Sequence, residues 1–136
     1  MVAPVRVDFT IPGKPYAKKR PRFSRKLGRA FDPKENSTFE NSVASIALPH
    51  FSAPLEGPVR LDIRVTFGVP PSWSKKKRAE KLHRPHTQKP DTDNLAKAIA
   101  DGLNRIAWAD DSQVYELSVR KVWGLSDATH VTVEAV

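Results

Sequence analysis

Cysteine is absent from the 136 residues, which excludes disulfides, thiolate metal sites and thiol nucleophiles together. A reducing cytoplasm is the expected compartment. No apolar run of 18 residues occurs, so no membrane-spanning helix is expected. The start, Met1-Val2-Ala3-Pro4-Val5-Arg6, lacks the charged beginning and apolar core of a leader. Neither a G-x-x-x-x-G-K-[ST] or G-x-G-x-x-G phosphate loop nor a G-x-S-x-G turn is present. NTP-driven and serine-nucleophile chemistry therefore find no support, and no nucleotide cofactor is expected. Acid is scarce as well: 15 Asp and Glu face 23 Lys and Arg, for a net charge of +8.

What is present is unevenly placed. Residues 14 to 29 carry eight cations and no acid, and residues 75 to 89 carry seven cations against Glu80 alone. Fifteen of 23 basic residues in two short segments make two candidate phosphate-contacting surfaces. The candidate DNA contacts are Lys14, Lys18, Lys19, Arg20 and Arg22 in the first and Lys75, Lys76 and Lys77 in the second. Solvated loops or attraction to anionic lipid are the plainer alternatives. The acids concentrate in their turn: five of nine Asp lie between positions 91 and 111. Carboxylates crowded together are costly unless a cation such as Mg²⁺ lies among them. An acidic centre in a basic protein points to metal-assisted chemistry on a polyanion.

The patterning gives one α+β domain over residues 1–136, with no repeat and no linker. Val5 to Ile11 alternates with period two, as a half-buried strand does. The basic segment after it is expected as a long loop or loose hairpin around Gly28. Asp32-Pro33 then opens a helix, with Asp32 as N-cap, over about residues 34–48. Val59 to Val69 is the cleanest alternation in the chain, with Val59, Leu61, Ile63, Val65 and Phe67 on one face. Ser74 caps a short basic helix to about Leu82, and the two-proline stretch 83–90 is a loop whose His83 and His86 are expected at the surface or in contact with phosphate. A helix over residues 93–106 and strands over 114–123 and 130–136 complete a mixed sheet with packed helices.

On that third helix, Asp93, Lys97, Asp101 and Asn104 fall at about 0°, 40°, 80° and 20° around the axis, one polar stripe. Leu95, Ile99, Gly102, Leu103 and Ile106 occupy the opposite face. Caps and i,i+4 ion pairs account for such a stripe without any chemistry, and a lone D-x-D is weak. The second acidic pair, Asp110-Asp111, strengthens the case, yet about 20 Å of helix separates it from Asp91. Convergence requires the next strand to run back alongside, or a second subunit. Carboxylates gathered on Mg²⁺ or Mn²⁺ suit phosphodiester hydrolysis, and Lys97 could neutralise developing phosphorane charge. A nucleotide-sugar transferase, the other common use of D-x-D, would need a larger chain and a nucleotide cradle.

Pro90-Asp91-Thr92-Asp93-Asn94-Leu95-Ala96-Lys97, then Asp101-Gly102-Leu103, then Trp108-Ala109-Asp110-Asp111-Ser112-Gln113-Val114 resemble the RusA family of Holliday junction resolvases. Gly13-Lys14-Pro15, Lys19-Arg20-Pro21-Arg22-Phe23 and Asp32-Pro33-Lys34 resemble the N-terminal region of one branch of it. The resemblance implies a small α+β homodimer that binds four-way DNA junctions and nicks two opposed strands with Mg²⁺ or Mn²⁺. It places the essential carboxylates, as metal ligands, at Asp91, Asp93 and Asp111, and the catalytic lysine at Lys97, with Asp110 of lesser weight. Many members of the family come from phages and prophages. The long basic stretch Ser72 to Lys89 departs from the family pattern. The alternative is a non-catalytic, basic architectural protein for branched DNA.

Overall fold

A computed structural model describes residues 5–136. The first four residues, part of the stretch read for a leader, lie outside the described residues. The chain forms β1 (Arg6–Pro12), β2 (Arg22–Ser24), β3 (Arg29–Phe31), α1 (Lys34–Ala47), β4 (Val59–Gly68), α2 (Lys75–Lys81), α3 (Thr92–Leu103), β5 (Val114–Gly124) and β6 (Ala128–Ala135). Single 3-10 turns fill Leu48–His50 and Asp111–Gln113.

Four strands make one mixed sheet in the order β1-β6-β4-β5. β6 pairs antiparallel with both β1 and β4, while β5 lies parallel to β4. A parallel neighbour needs a crossover, and the β4-to-β5 crossover is the segment that carries α2, α3 and the acidic cluster. The alternation of β4 sends Val59, Leu61, Ile63 and Val65 into the core at 1% exposure or less. β6 adds Val131 and Val133, and β1 adds Phe9 and Ile11. Helices α1 and α3 cover this face. The opposite face carries Asp8, Thr10, Asp62, Arg64, Arg120 and Thr132 and is polar.

The two helices meet at Gly102. A Cβ there would stand 2.7 Å from Val43 Cβ and 3.2 Å from the Glu40 carbonyl oxygen, so only glycine permits this approach. The basic segment folds as the β2-β3 hairpin, with Gly28 at φ +63° in the turn.

Three expectations are corrected. Asp32 does not cap α1: Pro33 holds the N-cap position, and the Asp32 carboxylate accepts from the Asn36 side chain instead. The third helix stops at Leu103, because Asn104 turns out to ψ 131° and Arg105 takes φ 70°. That turn brings the Trp108 carbonyl onto the Arg105 N–H and buries the indole completely. His86 is 5% exposed, since the 83–86 segment pairs with the end of β5 and carries the ring inward. Trp108 and the Val59–Val65 face are core and form no free surface, while Trp123 is 6% exposed.

Candidate functional site

Asp91 occupies the N-cap position of α3 in extended conformation, yet its side chain makes no capping hydrogen bond. An N-cap aspartate ordinarily satisfies a free helix N–H; here the exposed carboxylate is left for something else. Asp93, in the first turn, accepts from the Asn94 N–H at 2.9 Å and is also exposed. Lys97 follows one turn later, its side chain 64% exposed and its ammonium 4.0 Å from Asp101. Asp91, Asp93 and Lys97 are thus grouped on the first two turns of one helix.

Asp101 has a structural task. Its carboxylate and that of Glu40 both receive the Lys18 ammonium, the Glu40 contact at 3.0 Å. Burial opposes the charge on Lys18, but hydrogen bonds to Asp101 and Glu40 outweigh it and raise the ammonium pKa well above normal. Lys18, expected as a DNA contact, therefore clamps the basic segment to α1 and α3. Its backbone N–H also donates to the Asn94 carbonyl at 2.9 Å.

Sequence reasoning passed over Asn36. It is 1% exposed and fully bonded: it receives the Tyr16 hydroxyl and the Lys19 N–H, and donates to the Lys19 carbonyl and Asp32. This one side chain fixes the path of residues 16–19 beside α3. Its signal in the sequence is thin, a single Asn on the apolar face of α1. Lys19, Arg20 and Arg22 are exposed at the start of the hairpin, Lys19 with its ammonium 3.8 Å from Glu35, and Lys14 is exposed at the start of the basic segment. Lys75, Lys76 and Lys77 are exposed on α2, where Ser74 accepts from the Lys77 N–H as N-cap. Lys77 also lies 4.2 Å over the Trp73 ring.

Lys121 was missed too. It sits on the helix-facing side of β5, and its ammonium donates to the Gln88 and Pro90 carbonyls, the latter at 2.7 Å. The Lys89–Pro90 peptide between them is cis. A lone Lys between Val119 and Trp123, on the same face of the strand, was the available clue.

Asp111 is held at the other end. Trp108 Nε1 donates to its carboxylate at 2.8 Å. Asp110 accepts from the Ser112 N–H, while Gln113 accepts from the Ala109 and Asp110 N–H groups and donates to the Leu55 and Gly57 carbonyls. These bonds make Trp108, Asp110 and Gln113 a frame that presents Asp111. Strand β5 does run back alongside α3, but Asp111 stands at its beginning. What reaches the head of the helix is Lys121, seven residues after Val114, or about 23 Å along a strand. Among the described residues, no three His, Cys, Asp or Glu are grouped closely enough to hold a metal ion. The chain thus brings Asp91 and Asp93 together at the head of α3, with Asp111 beyond its other end.

A D-x-D at a helix head, a lysine one turn on, and a framed aspartate after a buried tryptophan coincide with a known family. The model of endodeoxyribonuclease RusA matches residues 12–134. The chain belongs to the RusA endodeoxyribonuclease family. It is also 38% identical over 138 residues to "Uncharacterized protein YqaN" of Bacillus subtilis (strain 168), with 96% of each chain covered. Membership of the RusA family supports nuclease action on Holliday junctions and binding of branched DNA. No helix among the described residues is long and apolar enough to cross a membrane.

Proposed function

We propose that this RusA-family chain is a Mg²⁺- or Mn²⁺-dependent endodeoxyribonuclease that resolves four-way junctions by paired nicks, acting as a homodimer. The supporting observation is the exposed carboxylate of Asp91, which sits at an N-cap and caps nothing. With Asp93 it offers hard oxygen donors of the kind Mg²⁺ and Mn²⁺ prefer. Lys97, exposed on the next turn, is in place to offset charge that builds on a phosphate during attack. The exposed Lys14, Lys19, Arg20 and Arg22, and Lys75 to Lys77 on α2, offer cations to the DNA backbone.

One chain supplies only two of the three carboxylates at this place. A four-way junction has approximate two-fold symmetry, so an isologous dimer puts equal sites on opposed strands. The same dimer would bring a second subunit's Asp111 towards Asp91 and Asp93. The separation within one chain equally favours a second reading, a junction-binding protein without cleavage. Incubation of a synthetic four-way junction with Mg²⁺ separates them. Wild type should release symmetric nicked duplexes, chelation should stop this, and Asp93→Asn should bind without cutting. Cutting by Asp93→Asn at the wild-type rate would remove Asp93 from the site; binding without cutting by wild type would favour the second reading.

A further inference from the structure

Beside the head of α3 lies a cavity of about 640 Å³, within the roughly 300–1,000 Å³ typical of small-ligand sites. Its floor is aromatic. His86 stacks on Phe67 with ring centroids 3.9 Å apart, and Trp123 tilts against the same imidazole at 4.3 Å. One wall is the Lys14–Lys19 segment, which Asn36 and the Lys18-to-Asn94 bond hold against α1 and α3. The other wall is Gln88 to Pro90, fixed by Lys121. Lys14, Lys19 and Lys89 line the opening against one carboxylate, Asp127, which already accepts from the Gly68 N–H.

Two details single this cavity out. His86 is 5% exposed and its Nδ1 has no hydrogen-bond partner, a costly state for a buried polar atom. Burial, with help from the Lys121 charge, lowers its pKa, so the ring is neutral near pH 7 and carries one donor and one acceptor nitrogen. In addition, Pro90 is both a wall of the cavity and the neighbour of Asp91.

We infer that this cavity takes one unpaired nucleotide of the DNA strand that crosses Asp91, its base on the aromatic floor and its phosphate among the lysines. The inference rests on the DNA-acting reading above. A free anion would use the lysines but leave the aromatic floor idle, whereas a nucleotide uses both. A base within a duplex reaches a concave site only by leaving its stack, which is easiest where pairing is already broken. The cavity therefore favours DNA with open bases at a branch point, and it seats them one residue from the acidic head of α3.

The test is junction binding by the full chain without divalent metal. In the probes, each nucleotide near the branch point is replaced in turn by an abasic residue. At one position the loss of the base should weaken wild-type binding about tenfold, the scale of one base stacked on an aromatic surface. Gln88→Trp, on the exposed wall, should plug the cavity and cut that penalty to under about twofold. Lys14→Trp on the facing wall is a second plug should the first fail to fold. His86→Phe keeps the stacking but removes the ring nitrogens; it should retain the abasic penalty and lose any preference among the four bases there. If no abasic position matters, or if both plugged variants keep the full penalty, the cavity is not a nucleotide site. Uniform tight binding overturns this inference alone, while a wild type that binds no junction overturns the DNA reading along with it.

Discussion

A single side chain, Asn36, settles where the basic segment lies relative to the candidate site. Its amide joins Tyr16, Lys19 and Asp32 in one fully bonded unit. Asn36→Ala leaves the partly buried Lys19 N–H and carbonyl without their side-chain partner and should cost about 1–3 kcal/mol, read from urea unfolding. It should also weaken DNA binding, because residues 14–19 lose their anchor. His86 gives a second outcome at this scale. Its pKa in the folded chain lies below the 6.5 of a free imidazole, through burial and then Lys121. Such a group favours folding above the unfolded pKa, where it is neutral in both states. The benefit is lost as the pH falls through the folded value. His130, lowered by burial and then Arg64, acts with the same sign. The melting temperature should therefore fall between about pH 7 and pH 5, and His86→Phe should make that fall shallower, by calorimetry at several pH values. An unchanged slope in the variant would show that His86 does not titrate in this way.

Among the elements, α3 does the most. Its first turn displays Asp91 and Asp93, its middle carries Lys97 and Asp101, and its back presses Leu95, Ile99 and Leu103 into the core. Gly102 lets it close on α1. Gly102→Ala should improve helix propensity and still destabilise the protein by about 1–3 kcal/mol, because overpacking against Val43 dominates. A stability equal to or above wild type would mean that α1 yields more easily than the 2.7 Å contact implies. Much of this was legible beforehand. Period-two alternation marked β1 and β4, Ser74 marked the start of α2, and the apolar stripe marked the buried face of α3. The end of α3 was not legible. Continued periodicity through Ile106 argued for helix, and only the burial of Trp108 shows why the chain turns at Asn104.

At the scale of the whole molecule, Asp111 stands at the opposite end of α3 from Asp91. If a second subunit completes each site, mixing two inactive variants is informative. A mixed dimer of Asp91→Asn and Asp111→Asn holds one doubly defective site and one intact site. It should therefore regain single-strand nicking of a junction, at a rate set by the fraction of mixed dimers, with no paired cutting. If each site lies within one chain, both sites stay dead and the mixture is inactive. Gel analysis of nicked against resolved products distinguishes the two.

By itself the sequence determined the composition of the chemistry: no thiols, a basic exterior, a D-x-D with a lysine four residues on, and the family resemblance that joins Asp111 to them. It determined the main strands and helices as well, because alternation and helical stripes are local properties of the chain. Only tertiary structure decided which charges are free to act. Lys18 and Asp101 look like their neighbours in sequence, yet they neutralise one another between α1 and α3. Asp91, placed where a cap belongs, is left unbonded. His86, in a polar loop, is drawn into an aromatic floor. The reason is physical: the partner of a charge or a ring is set by residues far along the chain, brought near only when the sheet and helices pack.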